Sequence, residues 1–476
     1  MSARLELPAS RPRLGPPLRR TVTAALGAVL ALALLAPLHD APETPAASTP
    51  VDLAAAEPPN PVTPGSFRGY GFDQCLTPTQ AKMDAWLQHS PFLAVGVYIS
   101  GNSRFCRHQP NLTSAWVRTQ LAKGWRILPI TLGPQSTCVG RFPRYGANID
   151  PTISNNSANR WSAARGQGRL EASRAVAAAQ ALGISPGSTI WYDLEGWSNY
   201  RHATCRESAL HFLTAWTNRI RRLNYVSGVY SSAGSGIKIL DDARATRRSD
   251  VVLPDQIWIA RWDGKASTST SYIREDGWRP GNRMKQYRGG HNETWGGVTI
   301  NIDSNYLDLG APRAAAETHC GSATIVDPAR YRAIRKRTTT YRPHPASVKA
   351  LQCLLREKGV YPGRITGNYN RRTRAAVQAW QKRVGHRVST TWTFRNWMTL
   401  LSAGPRPVLK IGSTGPDVRR VQRTIHATMP RLAVQRDGIF DADTAADVAA
   451  YRREIGMGAA GIVNTATWRR LQAGTR

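Results

Sequence analysis

The run Ile190-Trp191-Tyr192-Asp193-Leu194-Glu195-Gly196 sets two carboxylates two residues apart at the end of an apolar stretch. In a β-strand, side chains at i and i+2 share a face, with their α-carbons roughly 6–7 Å apart. Glycosidases separate their paired carboxyl groups on this scale, about 5–5.5 Å for retention and about 6.5–9.5 Å for inversion. One strand end can therefore carry a proton donor beside a charge stabiliser. A solvated strand end is the alternative for such a pair, so the elements around it decide.

Between residues 69 and 309, short apolar runs alternate with amphipathic segments. Strands are predicted at 69–75, 94–100, 125–132, 189–195, 227–232, 256–262, 284–288 and 298–304. Helical stretches fall between them, among them 170–182, stopped by Gly183, and 207–223. Eight strands with intervening helices predict an α/β fold, a (β/α)8 TIM-barrel-like domain over residues 67–310. Active sites of such barrels lie at the C-terminal ends of the strands. There the first strand ends in Asp73 and the fourth in Asp193 and Glu195. The sixth sets Trp258, Ala260 and Trp262 on one face, the seventh carries Gln286-Tyr287, and the eighth sets Asn301, Asp303 and Asn305 on one face. Arg261 and Arg288 are candidate partners for these acids. Buried ion pairs are weak stabilisers at best, which favours a functional cluster.

The chain of 476 residues carries 64 Lys+Arg against 31 Asp+Glu, a formal charge of +33. That implies an anionic partner: nucleic acid, membrane surface or anionic wall polymer. No zinc-finger, RRM or P-loop pattern occurs, so nucleic acid is not expected. An Arg-rich proteome would raise the charge equally. Arg11, Arg13, Arg19 and Arg20 precede an Ala/Leu-rich run at 21–37, short for a membrane span. Residues 1–37 read as a signal peptide or uncleaved anchor, and 38–66 as a flexible spacer. The expected location is outside the cell, on its wall.

Cys75, Cys106, Cys138, Cys205, Cys320 and Cys353 show no C-x-x-C spacing, so zinc and thioredoxin chemistry are not expected. In an exported protein they predict three disulfides. Strand adjacency favours 75–106 and 138–205 over 106–138 and 75–205, leaving Cys320 for Cys353. No metal or other cofactor is expected.

Gly71-Phe72-Asp73-Gln74-Cys75, Val97-Tyr98-Ile99-Ser100-Gly101, Tyr192-Asp193-Leu194-Glu195 and Ser227-Gly228-Val229-Tyr230-Ser231-Ser232 together resemble the DUF1906 (Rv2525c-like) glycoside-hydrolase-like domain over residues 67–309. That family is similar to the GH25 lysozymes, whose ordered motifs fall here on Asp73, Asp193 with Glu195, Trp258 to Trp262, Gln286-Tyr287 and Asp303. Gly71-Phe72-Asp73 departs from the lysozymes' D-x-S on the first strand. The resemblance implies that Glu195 is the general acid and that Asp193 supports it or positions an N-acetyl group. Asp73 and Asp303 would tune Glu195 electrostatically. Tyr98, Trp262, Gln286 and Tyr287 would meet the sugar.

Residues 311–346 read as a linker, Ala-rich and then strongly basic, which should self-repel and extend. Beyond it two segments resemble each other. Val348, Leu351-Gln352, Leu355, Thr373, Val377 and Trp380-Gln381 in the first correspond to Val418, Val421-Gln422, Ile425, Thr444, Val448 and Tyr451-Arg452 in the second. Both are similar to three-helix peptidoglycan-binding domains of the PG_binding_1 type, at 347–404 and 408–474. Tyr451-Arg452 departs from the usual aromatic-Gln pair, and the closing segment around Trp397 in the first repeat is degenerate.

The expected protein is thus a monomeric, exported wall protein that hydrolyses a β-1,4 bond in peptidoglycan or another N-acetylated wall glycan. Its rivals are a wall-glycan-binding protein without catalysis and a basic scaffold on anionic wall polymers.

Overall fold

The structure is a computed structural model that describes residues 58–476. The expected signal peptide and most of the spacer lie outside the described residues. Eight strands close into one barrel in chain order: β1 (Phe67–Asp73), β2 (Phe92–Ser100), β3 (Arg126–Thr131), β4 (Thr189–Leu194), β5 (Val226–Ser232), β6 (Gln256–Ala260), β7 (Asn282–Trp295) and β8 (Val298–Leu309). Helices α1 (Gln80–His89), α2 (Ser114–Ala122), α3 (Ala158–Ala181), α4 (Ala203–Arg222) and α5 (Gly236–Ala245) fill the crossovers from β1 to β6. The fold is the expected TIM-like barrel with one difference. Strand β8 pairs antiparallel with both β7 and β1, while the other neighbours pair parallel.

The reversal has a local cause. A two-glycine turn at Gly296-Gly297 joins β7 to β8 with no helix between them, both glycines having positive φ. Such a connection can only make a hairpin, since a parallel pair needs a long crossover. Two register shifts after Gln286 let the hairpin arm bend away from the rim. Its tip returns to α1, where Trp86 Nε1 donates to Val298 O at 3.0 Å. The arm thus occupies space that a crossover helix takes elsewhere.

Alternation along the strands fills the lumen. On β4, Ile190, Tyr192 and Leu194 face outward, with Tyr192 packed on Phe212 and Trp216 of α4. Trp191 and Asp193 face inward, and Trp191 meets Trp258 of β6 edge-on at 5.7 Å. Glycine makes room for two inward side chains, Trp191 and Asp73. A Cβ on Gly228 would sit 2.4 Å from the Trp191 ring, and one on Gly96 would sit 2.5 Å from Asp73 Cβ.

After the barrel come α6 (Pro345–Glu357), α7 (Arg371–Arg383) and α8 (Phe394–Leu401), then α9 (Pro416–Thr428), α10 (Ala442–Glu454) and α11 (Thr465–Gln472). The two three-helix units share their buried polar anchors. Gln352 Oε1 accepts from Thr366 N at 3.0 Å and Gly367 N at 2.9 Å, while its Nε2 donates to Thr373 Oγ1 at 2.9 Å. Gln422 repeats this, accepting from Gly438 N at 2.9 Å and donating to Thr444 Oγ1 at 3.1 Å. The departure at Arg452 is a change of side chain in one role. Gln381 Nε2 donates to Thr391 O at 2.8 Å, and Arg452 likewise pins its loop through Gly458 O at 2.8 Å and Ile462 O at 3.4 Å. The closing segment of the first unit is also intact, with Trp397 fully buried like Trp468.

The expectation of an extended linker is corrected. Val326, Tyr331 and Ile334 are buried in the core of the first helical unit. Ile334 pairs with Trp392 as Leu409 pairs with Val463, so the segment supplies to the first unit what residue 409 supplies to the second. Disulfide Cys320–Cys353 and the Arg423 ion pairs with Asp327 and Glu317 hold it further. Apolar burial and paired charge outweigh the self-repulsion that composition suggests. The second unit meets the barrel through Lys410. Its buried Nζ donates to Ser90 O at 2.6 Å and Phe92 O at 3.1 Å, at the C-terminal end of α1, where carbonyl groups favour a cation.

Candidate functional site

Four acids converge at the top of β1, β4 and β8, beside Tyr98 of β2. Asp73 and Asp303 face each other across the β1–β8 ladder. The strand reversal puts Asp303 there: β8 passes the rim in its first half, not at its C-terminal end. Asp193 and Glu195 arrive from β4, and their charges reach each other and Asp73. Asp73 is buried and held by Asn305 Nδ2 at 2.6 Å and Gln286 Nε2 at 3.2 Å. Asp193 is buried and accepts from Tyr98 Oη at 3.2 Å, while its Oδ1 has no partner among the described residues.

Burial dominates the electrostatics. It raises the Asp73 carboxyl well above its usual range, and the Asp303 charge adds to this, against the Asn305 and Gln286 bonds. Burial also raises Asp193, reinforced by the Glu195 charge. Asp303 is raised by burial, with the Gly290 N–H and His291 opposing. Tyr98 and Tyr230, partly buried among these charges, are raised well above the ordinary phenol by desolvation and stay neutral donors. The lumen is therefore a proton reservoir, since like charges this close do not all ionise.

Glu195 differs from the other three. It stands just beyond the end of β4, its backbone N donating to Gln135 Oε1 at 2.8 Å, while Gln135 Nε2 ties back to Asp193 O at 2.7 Å. Its carboxylate meets the half-exposed Arg141 guanidinium at 2.6 Å. Two cavities open on it. One, of about 480 Å³, is bounded by Tyr230, Gly234, Trp262 and Tyr272. The other, of about 180 Å³, is bounded by Asp73, Tyr98, Arg104, Arg144 and Asp303. Glu195 lines both, and Asp193 lines neither. Disulfides Cys75–Cys106 and Cys138–Cys205 tie down the loops that form the rim; these are the pairs that strand adjacency favours.

The sequence-predicted sugar contacts divide. Tyr98 lines the smaller cavity and the exposed Trp262 the larger. Gln286 is buried and fully engaged, its Oε1 accepting from Tyr230 Oη at 3.0 Å and Trp262 Nε1 at 2.9 Å. It positions Asp73 and Trp262 instead of presenting itself to a ligand. Tyr287 follows Gln286 on the strand and points to the opposite face, toward Ser304 and Glu293. Of the acids' proposed arginine partners, Arg261 lies over the Tyr272 ring at 5.0 Å. The sequence sets Asn305 on the face of Asp303 but assigns it no role, and it does not mark Arg141, Gln135 or Tyr230 as site residues. Tyr230 lies at an inward strand position that alternation can reveal. Gln135 and Arg141 sit in the loop after β3, where no periodicity points inward.

Residues 84–307 match the Rv2525c-like, glycoside hydrolase-like domain, and residues 344–390 match the putative peptidoglycan binding domain. No curated protein matches the chain. Among solved structures, the chain is similar to the Mycobacterium tuberculosis Tat-secreted protein Rv2525c in complex with L-tartrate, at 15% identity over 51% of this chain and 98% of that one, with a TM-score of 0.34. It is similar to an uncharacterized B. stearothermophilus protein at 15% identity over 50% and 95%, TM-score 0.32. A third likeness is to the modular autolysin LytC from Streptococcus pneumoniae, at 11% identity over 50% and 46%, TM-score 0.31.

Proposed function

From a chain that carries an Rv2525c-like, glycoside hydrolase-like barrel and a peptidoglycan-binding domain, we propose an exported, wall-associated glycoside hydrolase acting on peptidoglycan or a related N-acetylated glycan. The observation that carries the reading is Glu195, the acid that borders both cavities. A sugar chain laid across the rim would have one ring against Trp262 and Tyr272 and the next against Tyr98, with the joining oxygen over Glu195. Glu195 then protonates that oxygen. Asp193, buried and bordering neither cavity, supports Glu195 instead of touching the sugar. Asp73 and Asp303 hold the surrounding charge. Three disulfides fit an oxidising location, and among the described residues no helix is long and apolar enough to cross a membrane.

A second reading has its own observation. Arg141 lies on Glu195, as it would in a barrel that binds wall glycan without cleaving it. Release of soluble fragments from purified wall separates the two. Glu195→Gln should lower turnover by roughly 10²–10⁴, the usual worth of a positioned acid–base group. Wild-type fragment release by that variant would remove Glu195 from the mechanism, and no release by the wild-type protein would leave the binding reading. Wall attachment itself should survive 1 M salt, where the Debye length has fallen from about 10 Å at 0.1 M to about 3 Å. Complete loss there would mean bare electrostatics.

A further inference from the structure

A cavity of about 600 Å³ lies away from the barrel mouth, between residues 329–345, the start of α8 and the side of α9. Its walls are built on buried anchors. Tyr331 packs edge-on against Trp397 at 5.0 Å, and Trp397 Nε1 donates to Arg332 O at 2.9 Å. The segment that composition marks as a spacer is thereby fixed as one wall of a cleft spanning both helical units.

Three features of the lining specify a ligand. Arg330, Arg332 and Arg342 border the space with exposed side chains, and among the described residues none of them pairs with a carboxylate. Guanidinium forks of this kind suit carboxylates. Tyr341 and Phe394 supply apolar faces. The third feature is His426. Its Nε2 lies 3.1 Å from Ala329 O. A carbonyl only accepts, so Nε2 carries the hydrogen and Nδ1 is left as an acceptor. Among the described residues that Nδ1 has no hydrogen-bond partner, and His426 borders the cavity. An acceptor left open there can take an N–H or O–H from a ligand.

We propose that this cavity is a second binding site, separate from the barrel, for a short peptide bearing free carboxylates. The arginines take the carboxylates, and His426 Nδ1 takes a backbone amide hydrogen. A phosphate polymer offers the anion but no amide. The inference rests on the wall-binding reading in one respect, because peptide stems would bring such carboxylates to the protein.

Calorimetric titration of the full chain with the tripeptide Ala-Glu-Ala, carboxylates free, tests it. The free peptide should bind, and its fully amidated form should bind at least roughly tenfold more weakly, the worth of a charge-assisted hydrogen bond. Glutarate, with two carboxylates and no amide, and glycerol phosphate should both fall behind the peptide by a similar factor. Arg332→Ala with Arg342→Ala, two exposed side chains, should weaken the peptide by tenfold or more without loss of circular dichroism. Arg342→Glu should weaken it further. Equal binding of the amidated peptide, of glutarate or of glycerol phosphate would overturn the proposal, as would an unaffected double variant. Sedimentation of the wild-type protein with insoluble wall keeps the readings apart. Sedimentation without tripeptide binding removes this site alone, whereas failure to sediment removes the wall-binding reading.

Discussion

Arg141 on Glu195 is the contact at which the two readings of the barrel divide. The guanidinium is 55% exposed and the Glu195 side chain 23%, and a bridge to a guanidinium this solvated is worth about 0–1 kcal/mol. A sugar chain can displace it. Arg141→Ala should therefore change turnover by no more than roughly fivefold, the kinetic equivalent of about 1 kcal/mol, while Glu195→Gln lowers it by roughly 10²–10⁴. An Arg141→Ala loss as deep as that of Glu195→Gln, in the same fragment-release assay, would make the arginine part of the chemistry. Asp193 gives the complementary prediction. Its carboxyl is raised in the folded protein, by burial first and the Glu195 charge second. The folded state thus binds a proton more tightly than the unfolded state. Its contribution is fully present below the unfolded value and is lost as pH rises through the folded one. Asp193→Asn removes the ionisation, so its Tm relative to wild type should climb between pH 4 and pH 8. A pH-independent difference would show that Asp193 is not held protonated by the fold.

At the level of single elements, the repeats show how one buried side chain can organise a loop. Gln352 satisfies two backbone N–H groups, of Thr366 and Gly367. Gln352→Ala would orphan them, at about 1–3 kcal/mol for each buried group, measurable by urea denaturation. Arg452→Gln should cost less than Arg452→Ala, because a glutamine at that position can still donate to the loop, as Gln381 does to Thr391 O. Equal losses would mean that the loop bonds contribute nothing. The helical pattern of Val348, Leu351 and Leu355 was legible because burial on one helix face imposes a period. The loop bonds were not, since a polar residue on a buried face carries no sign of which backbone group it meets. The hairpin was legible only in part: the strands at 284–288 and 298–304 were read, but not the direction of the last.

For the whole molecule, the boundary between linker and repeat is the consequential correction. A fragment of residues 347–474 omits Val326, Tyr331 and Ile334, all buried in the first unit, and leaves Cys353 without Cys320. Full burial of such a side chain stabilises by roughly 1.5–3 kcal/mol. A fragment of residues 316–476 should accordingly unfold at clearly higher urea than 347–474. Coincident midpoints would return the segment to the status of a spacer. Lys410 adds a constraint on separation, because in either fragment its ammonium loses the barrel carbonyls of Ser90 and Phe92 that hold it. Barrel and second unit are accordingly built as one body in this chain, not as beads on a string.

The sequence by itself determined the closed barrel, the helical units and the face on which Asp73, Asp193, Glu195 and Asp303 lie. Those follow from local periodicity: an inward position on a strand is inward whatever the neighbouring strand does. Only the tertiary structure decided that β8 runs antiparallel, that Arg141 reaches Glu195, that Tyr287 turns away, and that the basic segment packs into a helical core. Each depends on which distant groups meet, and a pairing between residues 141 and 195, or 331 and 397, is set by the closure of the whole chain. Periodicity along a chain carries no record of that.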